Sequence, residues 1–399
     1  MTGAAQSRPA AAARRTGVDT GKRIAYVQYT NPAGYPPLEH SSRILAEAGW
    51  DVLFLGAAAW GAASLRFPKH PRIRVRAVGN QKSGWRQKLH YLYFCVWCLG
   101  WLARNRTSWV YASDLFSCPV GMLASMFGIP LIYHEHDSPD PNPTSAFLRV
   151  CLWARGVCAR RARLCILPNS RRATSFAEQT RSQRTPMVIW NCPLRGEVAG
   201  APRSETSPVC RFLYHGSIVP DRLPIGVVDA LAGLPPQTTL TVVGYETAGS
   251  KGYLKRLHGR AVELGIEGRL NLVGSLVGRQ EVLDVCRRHD VGLALMPLDG
   301  EDLNLQAMTG ASNKPFDYLS NGLALLVSQL PDWLELFVEP GYAIACDPSR
   351  LESLQAAMRW FIDHPREARA MGEKGRQCVL REWNYESQFG PALELLQSN

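Results

Sequence analysis

Acidic residues are scarce where the chain begins: residues 1–106 hold 4 Asp/Glu against 16 Lys/Arg, whereas residues 200–399 hold 24 against 19. The formal net charge of +11 therefore divides into +12 over 1–106, +4 over 107–199 and −5 over 200–399. That polarity points to an anionic surface, membrane or nucleic acid, met by one part of the molecule only. Long apolar runs are also lacking. The longest, 89–103, has 15 residues, short of the roughly 20 needed to span a bilayer. The Ala- and Arg-rich start has no apolar core of a signal peptide, so residues 1–22 read as a disordered basic tail of a protein that stays in the cytoplasm. Cysteine spacing is uninformative in a useful way. Eleven cysteines, odd in number and scattered through apolar stretches, with Cys95 and Cys98 a lone pair, argue for reduced core thiols over a disulfide framework or a zinc site.

What is present is a soluble globular composition, 46% hydrophobic and 20% charged, which excludes disordered, collagenous and multi-span membrane classes. At 399 residues the chain suggests two or three domains. An apolar run at 23–29, a turn-rich stretch at 30–37, a helical pattern at 38–48 closed by Gly49, and a second strand at 50–55 make a βαβ opening. Alternation continues with strands near 73–78, 109–112, 130–134, 164–167 and 187–190. Residues 196–209 lose periodicity and gather Gly, Pro and Ser, which marks a linker. Strands then recur at 211–215, 239–243, 270–273, 291–296 and 324–327, with helices at 222–232, 251–264, 280–287 and 314–320. From Leu351 the chain is helical, with breaks at Pro365 and Asn384. The fold class is α/β: two tandem doubly wound domains, 23–195 and 210–380, followed by a C-terminal helix at 381–399.

Two pieces of the second half suit a phosphate. His215-Gly216-Ser217 ends a strand and is followed by Arg222, so backbone amides can approach an anion that the guanidinium offsets. Ser312-Asn313-Lys314-Pro315-Phe316-Asp317 opens a helix, with Pro315 in its first turn, Asn313 and Lys314 at its positive end and Asp317 one turn on. A lysine for diphosphate charge and a carboxylate for ribose hydroxyls are what a nucleotide sugar needs.

With these residues the sequence resembles the GT-B glycosyltransferases of the group 1, or family-four, type, from Arg23 to about Leu396. The resemblance rests also on 240–244 as the family's strand ending in Val-Gly, on Leu272-Val273-Gly274, and on Gly322 after Lys314-Pro315-Phe316-Asp317-Tyr318. It implies two facing Rossmann-like domains with the C-terminal helix packing back on the first, a nucleoside-diphosphate-sugar donor held by Gly216, Ser217, Arg222, Gly244, Asn313, Lys314 and Asp317, an acceptor on the first domain, retention of configuration, and no cofactor or obligatory metal. One departure stands out. Where the family has the first glutamate of its paired motif, eight residues before Asp317, this chain has Thr309. Either Glu301, Asp302 or another group of the loop 298–312 substitutes, or the chemistry rests on backbone and phosphate contacts, and that loop is expected either to close over the donor or to be a mobile surface loop.

In the first half Tyr133-His134-Glu135-His136-Asp137 follows an apolar strand at the edge that faces the cleft. His134 and His136 are candidates for hydrogen bonding or acid–base work at the sugar, with Asp114 a second candidate for the acceptor base. The two histidines are read as pointing to opposite sides of the chain, which disfavours a shared metal. Glu39 and His40 are the polar members of the first loop. The apolar segment 89–103, bracketed by Arg86, Lys88, Arg104 and Arg106, fits either a helix at a membrane surface or a buried helix of the first domain. The expectation is a peripheral enzyme at the inner face of the membrane, acting on a glycan or lipid-linked acceptor in polysaccharide or glycoconjugate assembly. A sugar-nucleotide 2-epimerase and a non-catalytic glycosyltransferase-like partner of an assembly complex are the rivals. Nucleic acid is disfavoured, since no interleaved aromatic and basic stripe accompanies the charge.

Overall fold

The computed structural model describes residues 22–58, 65–79, 84–202, 209–300 and 302–398. The tail expected over 1–22 lies outside them save for Lys22, as do 203–208 of the linker and Glu301. The first domain runs β1 (Arg23–Val27), α1 (Pro36–Glu47), β2 (Asp51–Ala57), β3 (Ile73–Val78), α2 (Trp85–Arg104), β4 (Trp109–Ser113), α3 (Cys118–Met126), β5 (Leu131–His134), α4 (Ala146–Arg161), β6 (Leu164–Leu167), α5 (Ser170–Thr180) and β7 (Met187–Val188). The second runs β8 (Arg211–Ile218), α6 (Gly226–Ala232), β9 (Thr239–Glu246), α7 (Tyr253–Glu263), β10 (Leu270–Gly274), α8 (Arg279–Cys286), β11 (Val291–Ala294), α9 (Leu303–Gln306), α10 (Asn313–Ser320), β12 (Ala324–Ser328), α11 (Pro331–Trp333) and β13 (Ala343–Cys346). Three helices close the chain: α12 (Leu351–Asp363), α13 (Pro365–Arg381) and α14 (Tyr385–Gln397).

Among the described residues the strands form two parallel sheets, ordered β3-β2-β1-β4-β5-β6-β7 and β10-β9-β8-β11-β12-β13. Their inner strands are largely apolar because both faces are covered, whereas the edge strands β3 and β10 alternate largely between exposed and partly or fully buried positions. In β1, Ala25 and Val27 enter the core beneath α2 to α5, while Ile24 and Tyr26 enter the one beneath α1. That second core is completed by Tyr385, Phe389, Ala392 and Leu396 of α14, so the helical tail crosses back to the first domain. In each sheet the order reverses beside its first strand, β1 or β8, and ligands of such sheets bind outside the carboxyl ends there. The two carboxyl edges face one another.

Some expectations shift. Arg222 lies in a turn, and α6 begins only at Gly226, because Pro220 and Pro224 flank a stretch that cannot continue a helix. Trp190 falls outside β7 and packs on Phe316 and Trp383 of the other domain. The edge strand β13 is unmarked in the sequence, since Ala-Ile-Ala-Cys has little β-branched character. All eleven cysteines are free thiols. In α2, Tyr91, Phe94, Cys95, Cys98 and Leu102 are buried in the first domain, while Trp85, Leu89, Leu92, Tyr93 and Val96 form a second, exposed apolar stripe. Among the described residues no helix is long and apolar enough to cross a membrane.

Candidate active site

Between the carboxyl edges lies a cleft of about 460 Å³. Asn31, Tyr35, Glu39, His136, Asp137 and Arg172 line it from the first domain; Gly216, Arg222, Gly244, Arg279, Lys314 and Asp317 line it from the second. Gly216 and Gly244 are register partners where β8 and β9 end, with φ of +117° and +147°. A Cβ on Gly244 would overlap the carbonyl oxygen of Gly216, and one on Gly216 would lie 3.0 Å from Cε of Lys314. Only glycine leaves this floor open to a ligand.

Lys314 is 7% exposed at the N-terminus of α10, beside Asn313, and its Nζ stands 5.3 Å over the Tyr214 ring. Its ammonium makes no hydrogen bond with any described residue. Burial, then the neighbouring Arg222 guanidinium, lowers its pKa to about 7. Two cations facing one cavity at a helix N-terminus, without a carboxylate bonded to either, make an anion site.

Asp317, expected at the ribose, lines the cleft and is also ion-paired within the protein. Arg279 Nη2 donates to its Oδ1 at 2.6 Å and Nη1 to its Oδ2 at 3.2 Å, while His215 Nε2 lies 3.6 Å from Oδ2. Arg279 in turn donates to Glu197 at 2.6 Å, and Glu197 sits 3.1 Å from His40 Nε2 of α1. Burial works against the charge on Glu197, yet Arg279 and His40 hold its carboxyl well below the usual range. Asp317, Arg279, Glu197 and His40 thus bridge second domain, linker and first domain. Arg279 lines the cleft beside Asp317 and was missed by sequence reasoning. Its signal was an arginine opening a helix on the sheet's carboxyl edge.

On the other wall the candidates separate. His136 lines the cleft; its Nε2 is 3.1 Å from Ser113 Oγ and its Nδ1 is buried without a partner. His134 lies in the interior, its Nδ1 2.6 Å from Tyr111 Oη, and is absent from the cleft wall. The rings do not point to opposite sides: their centroids are 3.9 Å apart, because residues i and i+2 of an extended chain share a face. Burial, then His134's neighbour His136, depresses the His134 pKa, and burial, then Arg172, lowers that of His136 to about 3. Asp114 sits behind the cleft at φ +62°, where its Oδ1 accepts the His136 N–H at 2.8 Å. Burial, then Asp137, raises its carboxyl well above the usual range, so it positions His136. Glu135 is committed to the interior, accepting from Arg155 Nε at 2.6 Å and Nη2 at 2.8 Å.

The loop 298–312 is docked on the first domain. Arg172 Nη1 donates to His136 O at 2.6 Å and Nη2 to Asn304 O at 2.8 Å; Asn169 Nδ2 donates to Ala307 O at 2.7 Å. Asp302 does not take the place of the missing glutamate: it caps α9, accepting the Asn304 N–H at 2.8 Å. Thr309 has a buried hydroxyl without a partner and is absent from the cleft lining. Arg172, Asn169 and Asn304 carried no sequence signal, since each acts on main chain far away in sequence.

Two family models match the chain: one described as "Glycosyl transferase 4-like domain" over residues 38–191, the other as "Glycosyl transferase-like" over residues 228–394. A glycogen synthase of Mycobacterium tuberculosis is 23% identical over 400 residues, spanning 88% of this chain and 90% of its own. Sucrose-phosphate synthase of Thermosynechococcus elongatus superposes with a TM-score of 0.71 at 17% identity, over 95% of this chain and 99% of that one. HepE of Anabaena, solved with UDP and glucose, gives 0.70 at 18% identity, over 95% and 100%.

Proposed function

The chain belongs to the GT-B glycosyltransferases of the group 1 type, and from that premise we propose that it moves a sugar from a nucleoside diphosphate to a glycan or lipid-linked acceptor, with retention, in polysaccharide or glycoconjugate assembly. The observation that carries this reading is Lys314, a buried cation with no hydrogen bond to any described residue, facing Arg222 above the Gly216–Gly244 floor. The donor's diphosphate lies against this pair. In transfer, the bond from anomeric carbon to phosphate oxygen breaks and a bond to the acceptor oxygen forms. The acceptor's proton leaves with the diphosphate, since His136, with a pKa near 3, is too weak a base to take it. His136 Nδ1 instead holds a sugar hydroxyl by a hydrogen bond. Lys314 and Arg222 offset the charge that develops on the leaving group, and the site needs no metal in this reading.

The first domain faces the acceptor and the inner surface of the membrane. Support comes from the exposed stripe of α2, with Arg86, Lys88 and Arg104 on the same helix. Each such cation near an anionic leaflet contributes about 1 kcal/mol. The test is binding and turnover with UDP-glucose first, the donor with which a structural relative was solved, followed by GDP-, ADP- and dTDP-sugars. Lys314→Met with an intact fold is expected to lose nucleotide affinity by tenfold or more; unchanged affinity overturns the site. Thr309 favours one second reading, a non-catalytic partner, which nucleotide binding without transfer to any acceptor would select. Conversion of the donor alone would select a 2-epimerase.

A further inference from the structure

A second cavity, of about 530 Å³, opens at the carboxyl edge of the first sheet, beside the β1/β4 reversal of strand order. Its size falls within the roughly 300–1,000 Å³ of small-molecule sites. Tyr29 after β1, Phe116 after β4, Tyr91 and Trp85 of α2 and Phe147 of α4 wall it. The rings brace one another: Tyr29 meets Tyr91 edge-on at 4.9 Å, Tyr91 meets Phe147 edge-on at 5.0 Å, and Phe116 stacks on Phe147 at 5.9 Å.

The polar groups decide what such a pocket accepts. The Tyr91 hydroxyl donates to the Phe116 carbonyl at 2.8 Å, and the Tyr29 hydroxyl is engaged with His90 Nδ1 at 3.0 Å. Both tyrosines therefore offer ring surface and little spare hydrogen-bonding capacity, which suits hydrocarbon better than a hydroxyl-rich glycan. Among the described residues that line it, the only full charge is the exposed Lys88, and none is a carboxylate. Trp85 belongs both to this wall and to the exposed apolar stripe of α2, so the pocket continues the surface assigned to the membrane. Tyr29 of this wall is followed directly by Thr30 and Asn31, which line the interdomain cleft.

We infer that this aromatic pocket holds the hydrocarbon chain of a lipid-phosphate-linked acceptor, with Lys88 at its phosphate and the Tyr29–Asn31 segment leading to the cleft. This rests on the glycosyltransferase reading and chooses lipid-linked over free glycan acceptors.

The test uses the full chain and farnesyl phosphate as probe, titrated calorimetrically beside inorganic phosphate, farnesol and a water-soluble oligosaccharide, with UDP binding measured in parallel. Farnesyl phosphate is expected to bind at least tenfold tighter than phosphate or farnesol. Phe147→Glu should weaken it tenfold or more and Lys88→Glu several-fold, both with UDP affinity unchanged. Phe147→Glu should also still adsorb to anionic phosphatidylglycerol vesicles, whereas Leu92→Glu, on the outer stripe, should not. Three outcomes overturn the pocket: farnesyl phosphate binding no tighter than phosphate, Phe147→Glu binding like wild type, or Phe147→Glu losing the oligosaccharide instead. Absence of UDP binding with farnesyl phosphate binding intact would instead remove the donor reading and leave the pocket standing.

Discussion

Asn304 of the second domain and Ser138 of the first exchange two hydrogen bonds across the cleft: the Ser138 N–H donates to Asn304 Oδ1 at 2.8 Å and Asn304 Nδ2 donates to Ser138 O at 2.9 Å. A side-chain amide thus pairs with foreign main chain as a neighbouring strand would. Arg172 adds to this clasp by donating to the carbonyls of both His136 and Asn304.

Weakening this clasp should slow turnover and spare nucleotide binding, because Lys314 and Arg222, the residues proposed to meet the phosphates, lie in the second domain. Asn304→Ala and Arg172→Met are each expected to lower kcat about tenfold or more, with UDP affinity within a few-fold of wild type. A hydrogen bond involving a charged group is worth about 1.5–3 kcal/mol, and residues of one network couple, so the double variant should lose less than the product of the two. Amide exchange at Ser138 reads the clasp without any turnover and should accelerate in Asn304→Ala.

Lys314 gives the site a pH dependence of predictable sign. In the free protein its pKa of about 7 lies below the ordinary 10.5, so the unfolded chain binds the extra proton between these values and stability rises with pH across that window. Nucleotide binding runs the other way. A diphosphate beside the amine raises its pKa, binding takes up a proton, and affinity should fall from about pH 7 to 9. A sugar nucleotide has no titrating phosphate there, so calorimetry in buffers of different ionisation enthalpy counts the proton, and Lys314→Met should abolish both uptake and slope.

Gly244→Ala tests the floor of the donor site. The added methyl overlaps the Gly216 carbonyl, and φ of +147° is a conformation alanine rarely adopts. Overpacking of this kind costs about 1–3 kcal/mol. A fall in Tm of several degrees, with nucleotide affinity reduced more than tenfold, is expected from thermal unfolding and titration.

The Glu135–Arg155 pair is a matter of stability, not chemistry. Both side chains are buried, and Tyr133 Oη donates to Glu135 at 2.7 Å. Arg155→Met strands a carboxylate in the core and should cost about 3–5 kcal/mol, whereas Glu135→Leu with Arg155→Met should recover most of the loss. Denaturant midpoints of the single and double variants check this.

Two doubly wound domains, a helical tail and the placement of Gly216, Arg222, Asn313 and Lys314 on one edge were legible in the sequence. Those features are local: β-branched runs, helix-opening Pro315, and glycines at strand ends act through neighbours a few residues away. Tertiary structure alone decided what each polar group does. His134 and His136 sit two residues apart, yet one is capped by Tyr111 and the other lines the cleft. Asp317 is claimed by Arg279, 38 positions away, and Asn304 by Ser138, 166 away. Burial and pairing across such separations set charge, protonation and reach, and no local spacing encodes them. The apolar run of α2 makes the same point: its composition left core and surface open, and only packing divided it into one face for each.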